Sequence, residues 1–297
     1  MPLRHDARRG AALMLAATAL FTFMGALVKL LGERIPFPEI MFFRSLVALP
    51  VVLLIVWRMG QGFALATQRF PQHLLRATTG TLAMGCSFFA LTVLPLAEQT
   101  ALTFTTPLFV TLFAIPFLGE RVGVHRFGAV ALGFLGILVI ALGQGAFQGA
   151  VEAWVAIGMA VAVLHGVFSA MTTLLVRSLS STERSTTIVL WQSLLMTAFT
   201  AMTLPFLWVT PTWPEFWLLL AVGLVGGVAQ VLLTEAFASA QVSSLGAYSY
   251  TGILWAVLLG WIVFGEVPGP MTFLGAGLIV LASLTILHRE IRRGAKR

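Results

Sequence analysis

Apolar residues run through this chain in long blocks separated by brief polar interruptions, a pattern unlike the short alternations or one-sided stripes of a soluble core. A membrane-spanning helix needs about 20 predominantly apolar residues. Ten such blocks can be drawn, with ends placed to within about 2 to 4 residues. In the first half they run near Gly10 to Leu31, Phe37 to Trp57, Pro71 to Leu94, Leu96 to Leu118 and Val124 to Leu142. In the second half they run near Val151 to Val176, Ser185 to Val209, Trp213 to Ser239, Ser243 to Phe264 and Met271 to Leu287. The connections leave no room for an extramembrane domain. The expected fold is an all-α integral membrane protein of ten transmembrane helices, with the lipid bilayer as its solvent.

Composition sharpens this. Of 297 residues, 59% are hydrophobic and 10% charged, whereas soluble domains carry about 25% charged residues. The net charge of +7 would suggest nucleic acid in a soluble protein, but here the basic residues flank the apolar blocks, so no nucleic-acid partner is expected. Basic residues favour cytoplasmic loops. With the N-terminus inside, all 18 except Lys29, Arg34 and Arg44 fall on the cytoplasmic side. Both termini are then cytoplasmic, which needs an even number of spans. Residues 1–28 resemble a signal peptide, but no small-x-small cleavage site precedes Lys29, so this run reads as the first helix. Cys86 is the only cysteine, which rules out a disulfide framework. With no ligands at metal spacing, neither metal nor organic cofactor is expected.

The chain also repeats itself. Gly119-Glu120 closes the fourth block and Gly265-Glu266 the ninth, an offset of 146 (266 minus 120) that also brings Ala90-Leu91 onto Ala236-Phe237. An offset of 148 pairs Arg44-Ser45 with Gln192-Ser193 and Lys29 with Arg177. The simplest division is five helices in residues 1–145 and five in 146–297, forming one compact membrane domain. Five is odd, so the second half enters the membrane from the opposite side. Two inverted five-helix repeats of this kind place a transporter's substrate near the midplane between them.

The ten spans, the repeat and the stretch from Pro107 to Glu120, in which a proline is followed about a dozen residues on by Gly-Glu, resemble the EamA-type branch of the drug/metabolite transporter superfamily. The second half departs from the pattern, with Ile253 where the proline would fall. The resemblance implies alternating-access export of small metabolites through a bacterial inner membrane. Aromatic and neutral amino-acid exporters of the YddG kind are the nearest branch. A drug or nucleotide-derivative carrier of the same fold is an alternative that fold alone does not separate.

A charge in hydrocarbon is costly, about 2.5–3.5 kcal/mol on insertion scales, so each ionisable group in a span is a functional candidate. Arg44, Glu98 and Glu235 are the candidates for charge or coupling roles. Arg44 either holds a carboxylate or snorkels to the interface. Glu98 and Glu235 are otherwise interfacial carboxylates. Lys29 reads as snorkelling, and Glu120 and Glu266 as helix-closing residues paired with basic neighbours. The substrate-binding candidates are Thr22, Thr106, His165, Ser169, Gln230, Tyr248 and Tyr250, with Trp255 as an apolar wall. His165 and Ser169 lie four apart on one helical face. A histidine bonded to a neighbouring helix, polar side chains holding helices together and an aromatic ring facing lipid are the structural alternatives. Expected to line the cavity are the first, third, fourth, sixth, eighth and ninth spans.

A membrane enzyme acting on lipid-linked substrates would need convergent carboxylates or a nucleophile with its base, yet Asp6 is the only aspartate. A channel or scaffold would call for a ring of like groups or large loops. A monomer or homodimer carrying a small-molecule substrate is the remaining expectation. Single cysteines at Arg121 and Val267, in a Cys86→Ser background, are predicted to react with an impermeant thiol reagent from opposite faces. Same-face labelling would overturn the inverted arrangement.

Overall fold

The computed structural model describes residues 7–58, 65–118, 124–143, 153–179, 182–183, 185–239 and 248–294, and among them no strand occurs. Lipid offers no partner for a peptide group, so a spanning segment satisfies its own N–H and C=O groups by becoming a helix. The helices are α1 (Ala7–Leu31), α2 (Phe37–Arg58), α3 (Phe70–Val93), α4 (Leu96–Thr103), α5 (Thr106–Leu118) and α6 (Val124–Gly143). They continue as α7 (Ala153–Leu179), α8 (Ser185–Ala201), α9 (Leu204–Leu207), α10 (Trp213–Ser239), α11 (Thr251–Phe264) and α12 (Pro270–Gly294). Among the described residues α1, α2, α3, α7 and α10 are each long and apolar enough to cross a bilayer. The bundle's outside is apolar, with Trp57 68%, Trp261 63% and Leu254 68% exposed, as a lipid-facing surface requires.

Two expected spans are interrupted. The block from Leu96 to Leu118 breaks at Phe104 and Thr105, because Pro107 has no N–H to donate to the carbonyl four residues earlier. That carbonyl belongs to Thr103, and the Thr106 hydroxyl donates to it instead at 3.0 Å. The chain tightens beforehand, with the Phe104 and Thr105 amides donating to Ala101 and Leu102. Likewise the block from Ser185 to Val209 stops at Ala201, ahead of Pro205, and the Thr203 hydroxyl donates to the Thr200 carbonyl at 2.7 Å. The junction at residues 145 and 146, the Gly119-Glu120 turn, Arg121, Ser243 and Ser244 lie outside the described residues.

Apolar burial barely drives helix association in lipid, so close packing must do so, and small residues permit it. The main seams pair α1 with α10, α3 with α7 and α6 with α12, while α2 lies against α8 and α10. At the α6–α12 crossing two glycines meet reciprocally. A Cβ on Gly136 would stand 2.7 Å from the Gly275 carbonyl oxygen, and one on Gly275 would stand 2.5 Å from that of Gly136.

One end of the bundle is fastened around a single carboxylate. Gly265 ends α11 with φ of +66°, a left-handed cap that glycine takes without strain. The chain then turns so that Glu266 reaches back: its Oε1 pairs with Lys29 Nζ at 2.5 Å and its Oε2 accepts the Leu96 amide at 2.9 Å. Lys29 also donates to the Leu94 carbonyl at 2.6 Å and lies over the Phe264 ring. Lys29 thus has a fixed carboxylate partner and does not snorkel.

Gly275→Ala is expected to lower the thermal midpoint, through an overpacking cost of about 1–3 kcal/mol. Gly277→Ala, on the same helix with nothing within 4 Å of the added methyl, is expected to be neutral or to gain up to about 1 kcal/mol from helix propensity. Equal midpoints in detergent-solubilised protein would contradict the seam.

Candidate functional site

Most hydroxyls in the spans are used up locally. Thr18, Thr22, Thr79, Thr111, Thr173 and Thr197 each donate to a carbonyl three or four residues earlier in their own helix. Arginine, glutamine and histidine reach too far for that and need partners elsewhere. In this chain such side chains gather around one cavity of about 350 Å³, within the range of roughly 300–1,000 Å³ usual for small-molecule sites.

Six helices build its wall, five of them offering several residues at helical spacing and α1 a single one. Arg44, Ser45, Ala48 and Val52 come from α2, and Val189, Gln192, Ser193 and Met196 from α8. From α3 come Arg76, Gly80, Ala83 and Met84, with Ser87 and Phe88 a turn further along. His165, Ser169 and Thr172 come from α7, Gly226, Gly227 and Gln230 from α10, and Met24 from α1. Among the described residues the wall therefore carries two arginines and one histidine, and no aspartate or glutamate.

Arg76, His165 and Thr172 are held in place. Arg76 donates from Nη1 to the Gln192 Oε1 at 2.8 Å and to the Ile188 carbonyl at 3.3 Å. His165 Nδ1 lies 2.8 Å from the Ala83 carbonyl, which can only accept, so Nδ1 carries the proton. The ring is at once bonded to a neighbouring helix and part of the wall. Thr172 donates to the Thr79 hydroxyl at 2.9 Å and ties α7 to α3 beneath it.

Ties close both ends of the bundle. At the Glu266 end Arg34 grips Glu215, with Nε to Oε1 at 2.6 Å, and also donates to the Thr210 carbonyl. Beside that carboxylate the Arg34 pKa rises further above its ordinary value. Nearby, the buried Glu39 accepts the Val209 amide at 2.9 Å. At the opposite end Arg69 donates to the Ser178 carbonyl and the Thr182 hydroxyl, and Thr67 donates to Glu183 at 2.6 Å.

Of the residues singled out from sequence, His165, Ser169, Gln230 and Arg44 line the cavity. The other candidates lie elsewhere. Thr106 repairs the break before Pro107 and Thr22 bonds within α1. Tyr250 packs edge-on against Phe104 at 4.9 Å, and Tyr248 is 39% exposed. Trp255 is half-buried on α11, away from the wall. Glu98 is buried and accepts the Thr272 hydroxyl at 2.9 Å, while Glu235 pairs at the surface with Arg9. The fourth and ninth spans thus contribute nothing to this wall, and the second and seventh do. Arg76 and Gln192, which also line the cavity, are not singled out by the sequence, where Arg76 reads only as one of the topology-setting basic residues.

The profile of the EamA-like transporter family matches residues 8–142 and again 156–288. The chain belongs to the EamA-like transporter family. It is 34% identical over 279 residues to the pseudopaline exporter CntI of Pseudomonas aeruginosa, covering 92% of this chain and 94% of that one. It is 31% identical to a riboflavin transporter of Rhizobium johnstonii, covering 97% and 93%. An S-adenosylmethionine uptake transporter of Rickettsia bellii is 27% identical, covering 91% and 90%. One protein of known crystal structure superposes with a TM-score of 0.65 at 18% identity, covering 95% of this chain and 98% of that chain, which is likeness of fold alone. This EamA-like chain is therefore a multi-pass membrane transporter for a small molecule, not an enzyme. The named cargoes include no amino acid, so the expectation of amino-acid export gains no support from them.

Glu266→Gln is expected to destabilise the protein by about 1–3 kcal/mol, since it leaves Lys29 without its counter-charge. Adding Lys29→Met should recover part of that loss, because an apolar pair needs no partner. A thermal midpoint unchanged in the single variant would show that the tie does not hold this end together.

Proposed function

We propose that this protein is a secondary transporter of the bacterial inner membrane that moves a small organic metabolite by alternating access through the cavity described above. The observation that carries this reading is the wall itself, to which both parts of the chain contribute equivalent stripes. Arg44, Ser45 and Ala48 stand at the same offset of 148 (192 minus 44) from Gln192, Ser193 and Met196, and Gly80 and Met84 at 146 (226 minus 80) from Gly226 and Gln230. The seams follow the same rule, α1 on α10 being exchanged with α3 on α7. Together with the double match of the family profile, this supports ten spans in two inverted halves, residues 1–145 and 146–297. The distribution of basic residues supports cytoplasmic termini.

In such an arrangement the two halves rock about the shared site. The ties at opposite ends, Arg34 with Glu215 and Arg69 with Ser178 and Thr182, are the contacts that would break in turn. One chain supplies the whole wall, so a monomer suffices. Amino acids stay within the range of cargo that the cavity's volume admits, beside larger metabolites of the kind named for the relatives.

Purified protein in liposomes should take up at least one solute from a panel of riboflavin, S-adenosylmethionine and the common amino acids faster than empty vesicles. Ala48→Trp, which fills the wall with an indole, should cut that rate at least about tenfold, a loss equal to about 1.4 kcal/mol in the barrier. No uptake of any panel member, or an unchanged rate in Ala48→Trp, would remove this reading.

A further inference from the structure

The cavity holds more positive charge than its wall neutralises. Arg44 and Arg76 both line it, and among the described residues the wall has no carboxylate. The ion pairs among the described residues use other cations: Arg9 with Glu235, Lys29 with Glu266 and Arg34 with Glu215. Lys29 is informative here. It serves the fold, and a carboxylate stands 2.5 Å from it.

The two arginines are treated differently. Among the described residues the Arg44 Nε is buried with no acceptor, and its Nη1 meets the Met196 sulfur at 4.0 Å, a weak acceptor. The Arg76 Nε is likewise buried without an acceptor, and its Nη1 donors go to a neutral amide oxygen and a neutral carbonyl. A guanidinium cannot shed its proton to escape such a place. Its planar fork matches a carboxylate or phosphate with two parallel hydrogen bonds.

Space is kept for both groups. A Cβ on Gly226 would stand 2.7 Å from the Met24 sulfur, which lies beside Arg44 in the wall, and one on Gly80 would stand 2.6 Å from Nε2 of Gln192, the residue that orients Arg76. Of the repeat-related positions Arg44 and Gln192, only one is charged, so the site has a charged side and a neutral one. Met24, Met84 and Phe88 line other parts of the same wall.

We infer that the cargo is an amphipathic organic anion whose carboxylate or phosphate is held by Arg44 and Arg76, with its apolar body against Met24, Met84 and Phe88. This rests on the transport reading above and adds the chemical class of the substrate. Arg76 and Arg44 are then binding residues, and Gln192 is a positioning residue that acts through Arg76.

The test uses the full chain in detergent and two matched probe pairs. N-acetylphenylalanine against its amide supplies the carboxylate arm, and FMN against riboflavin the phosphate arm. At least one anion should raise the thermal midpoint dose-dependently, with affinity about tenfold or more above its neutral partner. Arg44→Gln and Arg76→Gln should each weaken the anion about tenfold or more while moving the neutral partner less than about twofold. Arg44→Lys, which keeps the charge but loses the fork, should fall between. Ligand-free midpoints should not drop in the Gln variants, because an unpaired buried charge has been removed.

Which anion binds identifies the headgroup. Stabilisation by neither anion, equal affinity within both pairs, or anion affinity unchanged in both Gln variants would each overturn the inference, as would ligand-free midpoints that fall while anion affinity stays at the wild-type value. Uptake of a neutral solute that Ala48→Trp blocks, with no anion binding, would sink this inference and leave the transport reading standing. Anion binding by a chain that transports nothing would do the reverse.

Discussion

Hydrocarbon leaves a peptide group nowhere to turn except to its own chain. Where a helix can run unbroken the matter is settled by its own ladder, and most of the bundle needs no further device. At Pro107 and Pro205 the ladder fails. The threonines just before them, Thr106 and Thr203, donate hydroxyls to carbonyls three residues back, keeping an interrupted segment tolerable at depth. The same habit explains why so many threonines in the spans bond to their own helix and contribute nothing to the cavity.

Packing then has to proceed without a hydrophobic force between helices, and charge has to be managed without water. Three of the arrangements in which this bundle places cations bear on the cavity. Arg9 meets Glu235 at the surface, where the pair costs little and gains little. Lys29 meets Glu266 in a half-enclosed cluster that also captures the Leu96 amide, so one carboxylate joins the end of α1, the start of α4 and the turn after α11. Arg44 and Arg76 meet only neutral acceptors and open space. The first two arrangements complete the fold, and the third leaves something for a partner to complete.

Much of this was legible in the residue order. Apolar blocks of membrane length have few other uses, so the all-helical spans followed from length alone, and basic flanks suggested their direction. The site was only partly legible. His165, Gln230 and Arg44, which line the cavity, stand out in the sequence because long polar side chains deep in apolar runs cannot satisfy themselves. Thr106 and Tyr250 lie outside the cavity, where Thr106 serves the helix break in the middle of the fourth expected span and Tyr250 packs on Phe104. Arg76 was overlooked because it lies within two turns of its helix start and was read as setting topology. A usable signal did exist: Arg76, Gly80, Ala83, Met84 and Ser87 form one stripe at helical spacing. The offset already noted between Arg44 and Gln192 marked the facing wall, and following it would have led from one arginine to its counterpart.

The reciprocal glycines of the α6–α12 seam have a consequence for inheritance. A side chain at Gly136 would meet the backbone oxygen of Gly275 as well as the Ile279 side chain, and one at Gly275 the oxygen of Gly136 as well as the Ile140 side chain. A backbone oxygen cannot be mutated to something smaller, and the facing residue is already glycine. A lesion at either position therefore has no suppressor at its partner, unlike a clash between two side chains, which a second change can relieve. Any revertant has to move a whole helix through changes elsewhere, so after the halves of such a chain are joined, this pair is the place where neither can drift independently of the other.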